Sequence, residues 1–237
     1  MATSLNELNN NRLVGAEATK DHPEKIVPQV LEAMFGPGAY GYDMKEGTVI
    51  SATDNRVLYL SADLVRGIYQ ALEYETGEAW KLILKNCGYI WGKRISVSLG
   101  KELRVVIRDG LEDLSVHDYL NLIESYFASH GWGIAVVDLD DAQTYGIVRV
   151  SLKNSLFVHA LDDVQGRVDY MMAGMLRGLF EAISGHMLDC VQVCCERSNI
   201  AQASEFLISA RGRIETLEAS LDSDIELDHA IEQLRAA

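Results

Sequence analysis

Apolar residues recur three and four apart through much of the chain, and elsewhere they alternate. Leu64, Ile68, Ala71 and Leu72 mark one helical face behind Ser61, a residue suited to cap it. Gly77 interrupts this run, and a second helix continues through Trp80, Ile83, Leu84 and Cys87. Ser115 and Asp118 have the spacing of a capping box, and Val116, Tyr119, Leu120, Ile123 and Phe127 follow as an apolar stripe that Gly131 ends. Residues 168–184, VDYMMAGMLRGLFEAIS, predict a strong helix with a small-residue face. Ile214, Leu217, Leu221, Ile231 and Leu234 predict one terminal amphipathic helix. A short helix is expected within residues 22–38, stopped at Gly36, Pro37 and Gly38.

Strands are expected at GIAVVDL and YGIVRVSL, paired across the acidic loop DDAQT, and at MLDCVQVCCE and SEFLISA. Residues 47–61 read as two short strands around Thr53, Asp54 and Asn55, and NSLFVHAL as a strand or connector. Strands joined by short loops predict an α+β fold: an antiparallel sheet with helices packed on one face. Three segments are expected: a polar arm over 1–22, a domain over 23–210, and a C-terminal amphipathic helix over 211–237. The loops are too short for a crossover between every strand, and no glycine-rich phosphate loop is present, so a nucleotide-binding doubly wound fold is not expected.

Charge narrows the function. The 237 residues carry 35 acidic against 21 basic side chains, a formal net charge of -14. That argues against nucleic acid, which requires basic patches, and against simple electrostatic docking to anionic lipid. A local basic patch stays open, because Lys93 and Arg94 are followed by Lys101, Arg104 and Arg108. No apolar run reaches the roughly 20 residues of a spanning helix. The start of the chain lacks a signal peptide's apolar core, so a cytoplasmic location is expected. Four cysteines in such a chain do not make a disulfide framework.

Five segments appear in an order that resembles the 4-vinyl reductase domain family: GEAWKLILKNCGYIWGKRI, HGWGIAVVDLD, VRVSLKNSLFV, VDYMMAGMLRGLFEAISGHMLDCVQVCCE and SEFLIS. That family is similar in fold to the small subunits of the TRAPP trafficking complex. The resemblance covers roughly residues 25–210. The family's C-terminal signature carries a Glu, a Cys three residues on, a Gly, a second Cys and a Phe. Here Gln192 stands at the Glu, Cys195 matches the first Cys, Asn199 lies at the Gly, Ser204 or Ala203 replaces the second Cys, and Phe206 matches the aromatic. A metal site like that of metal-binding members is therefore not implied. The resemblance implies a small-molecule-binding module whose apolar cavity, between helices and sheet, takes tetrapyrroles, phenols or acyl chains. Acidic versions extended at both ends resemble cyanobacterial members tied to assembly of photosynthetic complexes.

With that resemblance, Trp80, Trp91, Trp132, His159, Met171, Met175 and Leu179 become candidate ligand-binding residues; for each, plain packing is the competing reading. His159 could ligate a tetrapyrrole's metal or hold a propionate. Cys190, Cys194 and Cys195 with His186 raise three readings: buried thiols, metal ligands, or a reactive thiol beside a ligand. Strand alternation would place Cys190 and Cys194 on one face and Cys195 on the other. Zinc is not expected; a chlorophyll-like tetrapyrrole or a bilin is. No nucleophile elbow, nicotinamide or flavin motif appears, which points away from catalysis. The expected function is ligand binding in assembly of photosynthetic complexes, with a homodimer, photosynthetic assembly proteins and an apolar small molecule as partners, and a peripheral place at the thylakoid membrane. The alternatives are a tetrapyrrole vinyl reductase or accessory of chlorophyll biosynthesis, and a ligand-free protein–protein scaffold.

Overall fold

The computed structural model describes residues 24–221 and 224–236; the polar arm expected over 1–22 lies outside them. A short helix, α1 (Pro28–Phe35), leads into a hairpin of β1 (Tyr40–Asp43) and β2 (Thr48–Ser51). β2 was expected to pair with the residues after Asn55. Instead it pairs upstream with β1, and only an isolated bridge joins Ile50 to Arg56. Asp54, at φ 60, closes a tight turn that brings the chain back along β2, where the Ser51 N–H donates to the Asn55 carbonyl at 2.9 Å and the Val57 N–H to the Val49 carbonyl at 2.8 Å, and the pairing stops there.

Helices α2 (Ala62–Thr76) and α3 (Trp80–Val106) follow. Ser61 caps α2, its side chain accepting from the Leu64 N–H, and Gly77 separates the two helices. Helix α4 (Val116–Ser129) starts where Ser115 Oγ accepts from the Asp118 N–H at 3.0 Å. Asp118 in turn accepts from the backbone N–H groups of Lys25 and Ile26, each at 3.0 Å, which pins the chain ahead of α1 to α4.

The sheet contains β3 (Ile134–Asp138), β4 (Val148–Lys153), β5 (Leu188–Cys194) and β6 (Ser204–Ala210) in the order β3-β4-β6-β5, with every neighbour antiparallel. A single helical turn, α5 (Ala142–Tyr145), sits in the β3–β4 connection. NSLFVHAL forms a short helix, α6 (Leu156–Ala160), rather than a strand. The long helix α7 (Tyr170–Ser184) then precedes β5.

Helix α7 is held against α3 with the backbones touching. A Cβ on Gly174 would lie 1.9 Å from the Lys85 carbonyl oxygen, and one on Gly88 would lie 2.0 Å from that of Met171. Gly92 and Gly178 make the same approach to Met175 and Tyr89. The small residues visible in both sequences therefore serve a helix crossing that no larger side chain can enter.

Two apolar layers sandwich the sheet. On one face Val150, Leu152, Phe206, Ile208 and Cys190 pack with Met172, Met175, Leu176 and Leu179 of α7 and Phe127 of α4. On the other, Ile147, Val191, Val193 and Leu207 meet the C-terminal helices. The structure is thus α+β, as expected, with the main helical layer on one face. The terminal helix is in fact two, α8 (Arg211–Ser220) and α9 (Leu227–Ala236). One straight helix of that length would run about 40 Å and carry Ile231 and Leu234 off the sheet. Folding back at Leu221 buries both.

Candidate functional site

The residues proposed as a ligand wall fall into three groups. Trp80 is buried at the start of α3, edge-on to Tyr69 at 4.9 Å and to Tyr170 at 5.2 Å. Trp91 and Trp132 meet edge-to-face at 4.8 Å, and the Trp132 Nε1–H is buried without an acceptor among the described residues. Met175 and Leu179 are wholly buried beneath α7, while Met171 is half-buried next to Gly88. His159 is exposed on α6, away from this core. None of the seven lines either of the two cavities described below.

The cysteines sort differently from strict alternation. Gln192 pairs with Phe206 but Cys194 pairs with Glu205, so Val193 is a bulge. That extra residue turns Cys195 back into the main core beside Cys190's layer, whereas Cys194 Sγ turns to Ser198 Oγ at 2.8 Å. Burial pushes all three thiols above their ordinary value, most strongly Cys190, which keeps them protonated and unreactive. His186 and Cys87 are exposed and take no part.

The signature positions converge on a residue the sequence reading passed over, Asp169. It precedes α7 and is wholly buried. Ser155 Oγ donates to its carboxylate, as do Ser204 Oγ at 2.7 Å and Gln192 Nε2 at 3.3 Å. The Asp169 N–H returns a bond to Gln192 Oε1 at 3.0 Å. Burial raises the carboxyl to a pKa of about 6 against these donors. A Glu in place of Gln192 would set a second carboxylate against Asp169, so the amide fits here because it both donates and accepts. These donors do not suit a metal ion: Gln192 and Ser204 are committed to Asp169, and among the described residues no three His, Cys, Asp or Glu side chains could hold one.

Along β5 from Asp189 to Gln192 lies a charged cleft of about 540 Å³, walled by α3, α7, β5 and α8. Lys85, on the inner side of α3, reaches Glu218 at 2.8 Å and Asp189 at 3.3 Å. Burial works to lower its pKa, yet the two carboxylates outweigh it and hold the ammonium above its usual value. Arg177 lies on the Tyr89 ring at 4.1 Å and bonds Glu181 at 3.4 Å. Arg167 closes one end, donating to the Gln192 and Leu221 carbonyls. Leu82, Tyr170, Ala173 and Val191 supply apolar wall between these charges. Lys85 could have been found in the sequence, because it occupies the helical phase of Gly92 and Leu99, a charge inside the buried stripe.

A second, smaller cleft of about 320 Å³ gathers Asp138, Asp140, Asp141, Asp228 and Glu232 with Arg149 and Arg235. The acidic loop between β3 and β4 is thus partly tied down, Arg235 reaching Asp141 at 2.6 Å and Arg149 reaching Asp138 at 2.5 Å.

No family model matches the chain, and no curated protein matches it. Solved structures do. The vinyl-4-reductase family protein of Methanocaldococcus jannaschii is 16% identical, over 80% of this chain and 97% of that one, with a TM-score of 0.40. A trafficking protein particle complex subunit 3 from Naegleria fowleri, covalently bound to palmitic acid, is 16% identical over 62% of this chain and 93% of that one, with a TM-score of 0.43. The phenol-responsive sensory domain of the transcription activator PoxR, solved with phenol, is 18% identical over 81% of this chain and 94% of that one. Its TM-score of 0.62 shows that the two chains share a fold.

Proposed function

We propose that the chain is a small-molecule-binding module and that the cleft beside β5 receives the ligand. The observation that carries this reading is the make-up of that cleft, which sets Lys85, Arg167 and Arg177, interleaved with Glu78, Asp189, Glu215 and Glu218, around Tyr170, Ala173 and Val191 in a space of about 540 Å³. Ligand sites of this kind span about 300 to 1,000 Å³ and pair apolar wall with a few convergent polar groups. The ligand that fits is amphipathic: a ring or chain against Tyr170 and Ala173, with an anionic or phenolic oxygen toward Lys85. The fold shared with a phenol-responsive sensory domain supports the same reading.

Trp80 is 5.2 Å from Tyr170 at the cleft wall, so its emission reports occupancy. Titration with phenol, with a medium-chain fatty acid and with a bilin should give saturable quenching by at least one. Lys81→Glu at the cleft wall should weaken an anionic ligand several-fold. Absence of saturable change with all three sinks the proposal. The finer reading suggested by the family resemblance is a tetrapyrrole ligand, a homodimer and a part in assembling photosynthetic complexes. It predicts a coloured protein when purified from its own cells.

A further inference from the structure

A cluster of cationic side chains on this acidic chain lies on the outer side of α3. The side chains exposed there are Leu82, Asn86, Cys87, Ile90, Lys93, Arg94, Val97, Lys101, Arg104 and Val105, and at 100° per residue they fall within a single arc of the helix. Four are aliphatic and markedly exposed: Leu82 at 62%, Ile90 at 55%, Val97 at 60% and Val105 at 61%. Four are cationic, and no acidic residue shares the arc. The helix's one acidic residue, Glu102, is turned aside and takes a hydrogen bond from Thr53. Arg104 pairs with Glu112 and Lys93 lies 3.8 Å from Glu181, but Arg94 and Lys101 have no ion pair among the described residues. The stripe runs about 35 Å from the cleft to the end of the helix.

From this arc we infer that α3 docks the protein on an anionic membrane surface. Aliphatic side chains would enter the headgroup region, while the long stems of Lys and Arg keep their charges at the phosphates. The complement of a cationic, apolar strip is an anionic, apolar layer. Protein partners are a poorer match, because interface hot spots centre on Trp, Tyr and Arg packed in desolvated pockets, and this arc offers arginines but no aromatic anchor. A second copy is poorer still: a two-fold contact through the same strip would set Arg94 and Lys101 against like charges.

The test is co-sedimentation of the full chain with vesicles of phosphatidylcholine alone and of equal parts phosphatidylcholine and phosphatidylserine. The expected result is binding to the anionic vesicles only, weakening as salt rises. Each cation near such a surface contributes about fivefold, so Arg94→Glu with Lys101→Glu should weaken binding by roughly 25-fold or more. Ile90→Ser with Val97→Ser should remove the part of binding that survives high salt. Lys153→Glu, an exposed charge reversal elsewhere, should leave it unchanged. Equal binding to both vesicle types, no binding to either, or indifference to the paired charge reversal overturns the inference. A dimer that the same reversals dissociate, with no vesicle binding, overturns it by assigning the face to self-association.

Discussion

Two polar clusters lean on the same strand, three residues apart, and they are built on opposite terms. Around Asp169 the groups are sealed: the carboxylate is wholly buried and every donor is a neutral hydroxyl or amide. Around Asp189 the groups are ionic, and the network of Lys85, Arg177, Glu181 and Glu218 opens on a cleft. A sealed cluster can only hold its elements in place, because nothing can replace its partners. An open ionic cluster can exchange one partner for a ligand without leaving a charge stranded. β5 is also an edge strand, and its charged flank blocks pairing with another chain.

The largest break in this comparison comes from the helix crossing that supports the open cluster. Lys85 rides on α3 and Arg177 on α7, and Gly174 lets the two helices meet. Gly174→Ala places a methyl 1.9 Å from the Lys85 carbonyl oxygen, so the helices must separate. The expected cost is about 3 kcal/mol or more, read as a shift in denaturant midpoint. Gly67, in α2, has nothing within 4 Å of its would-be Cβ. Gly67→Ala should therefore change stability in the opposite direction, by about 0.5 to 1 kcal/mol.

The sealed cluster is addressed by pH. Burial pushes the Asp169 carboxyl up to a pKa of about 6 from its ordinary 3.8. The folded state thus binds the proton more tightly, and this group's contribution to stability falls as pH rises through about 4 to 6, then levels off. Two pKa units correspond to about 3 kcal/mol. Asp169→Asn has no such proton, so its stability relative to wild type should climb by up to that amount between pH 4 and pH 7. Parallel urea curves at the two pH values measure the gap, and a gap independent of pH would refute the burial account.

Much of the scaffold was legible before the coordinates. The four sheet strands, the caps at Ser61 and Ser115 and the long helix before β5 follow from periodicity and capping chemistry. What escaped was decided by tertiary contact. The bulge at Val193 reverses the side on which Cys195 lies, and no local rule places a bulge. Asp169 sits before a helix start, where an acidic residue looks like an ordinary N-terminal preference, yet it bonds residues up to 35 positions away. Of the aromatic and methionine residues named as ligand-binding candidates, Trp80 packs on Tyr69 and Tyr170 and Trp91 on Trp132, while Met175 is wholly buried; apolar periodicity reports burial and is silent on ligand contact.

Of the two clusters, the open one gives the smaller stability effect and the sharper separation of roles. Lys85→Met keeps the apolar stem and removes the charge that answers Asp189 and Glu218. Removing one member of a buried pair costs about 3 to 5 kcal/mol when the other is left alone. Here Arg177 remains 3.8 Å from Asp189, and Glu218 is 36% exposed and can turn to water. A loss of about 2 kcal/mol is expected, less than at the helix crossing and nearly flat between pH 5 and 8. If Lys85 also meets the ligand, the same variant should abolish binding of a carboxylate while sparing a neutral phenol. A variant that weakens both alike would make Lys85 a structural post of the sheet edge and move the ligand's polar contact to Arg167 or Arg177.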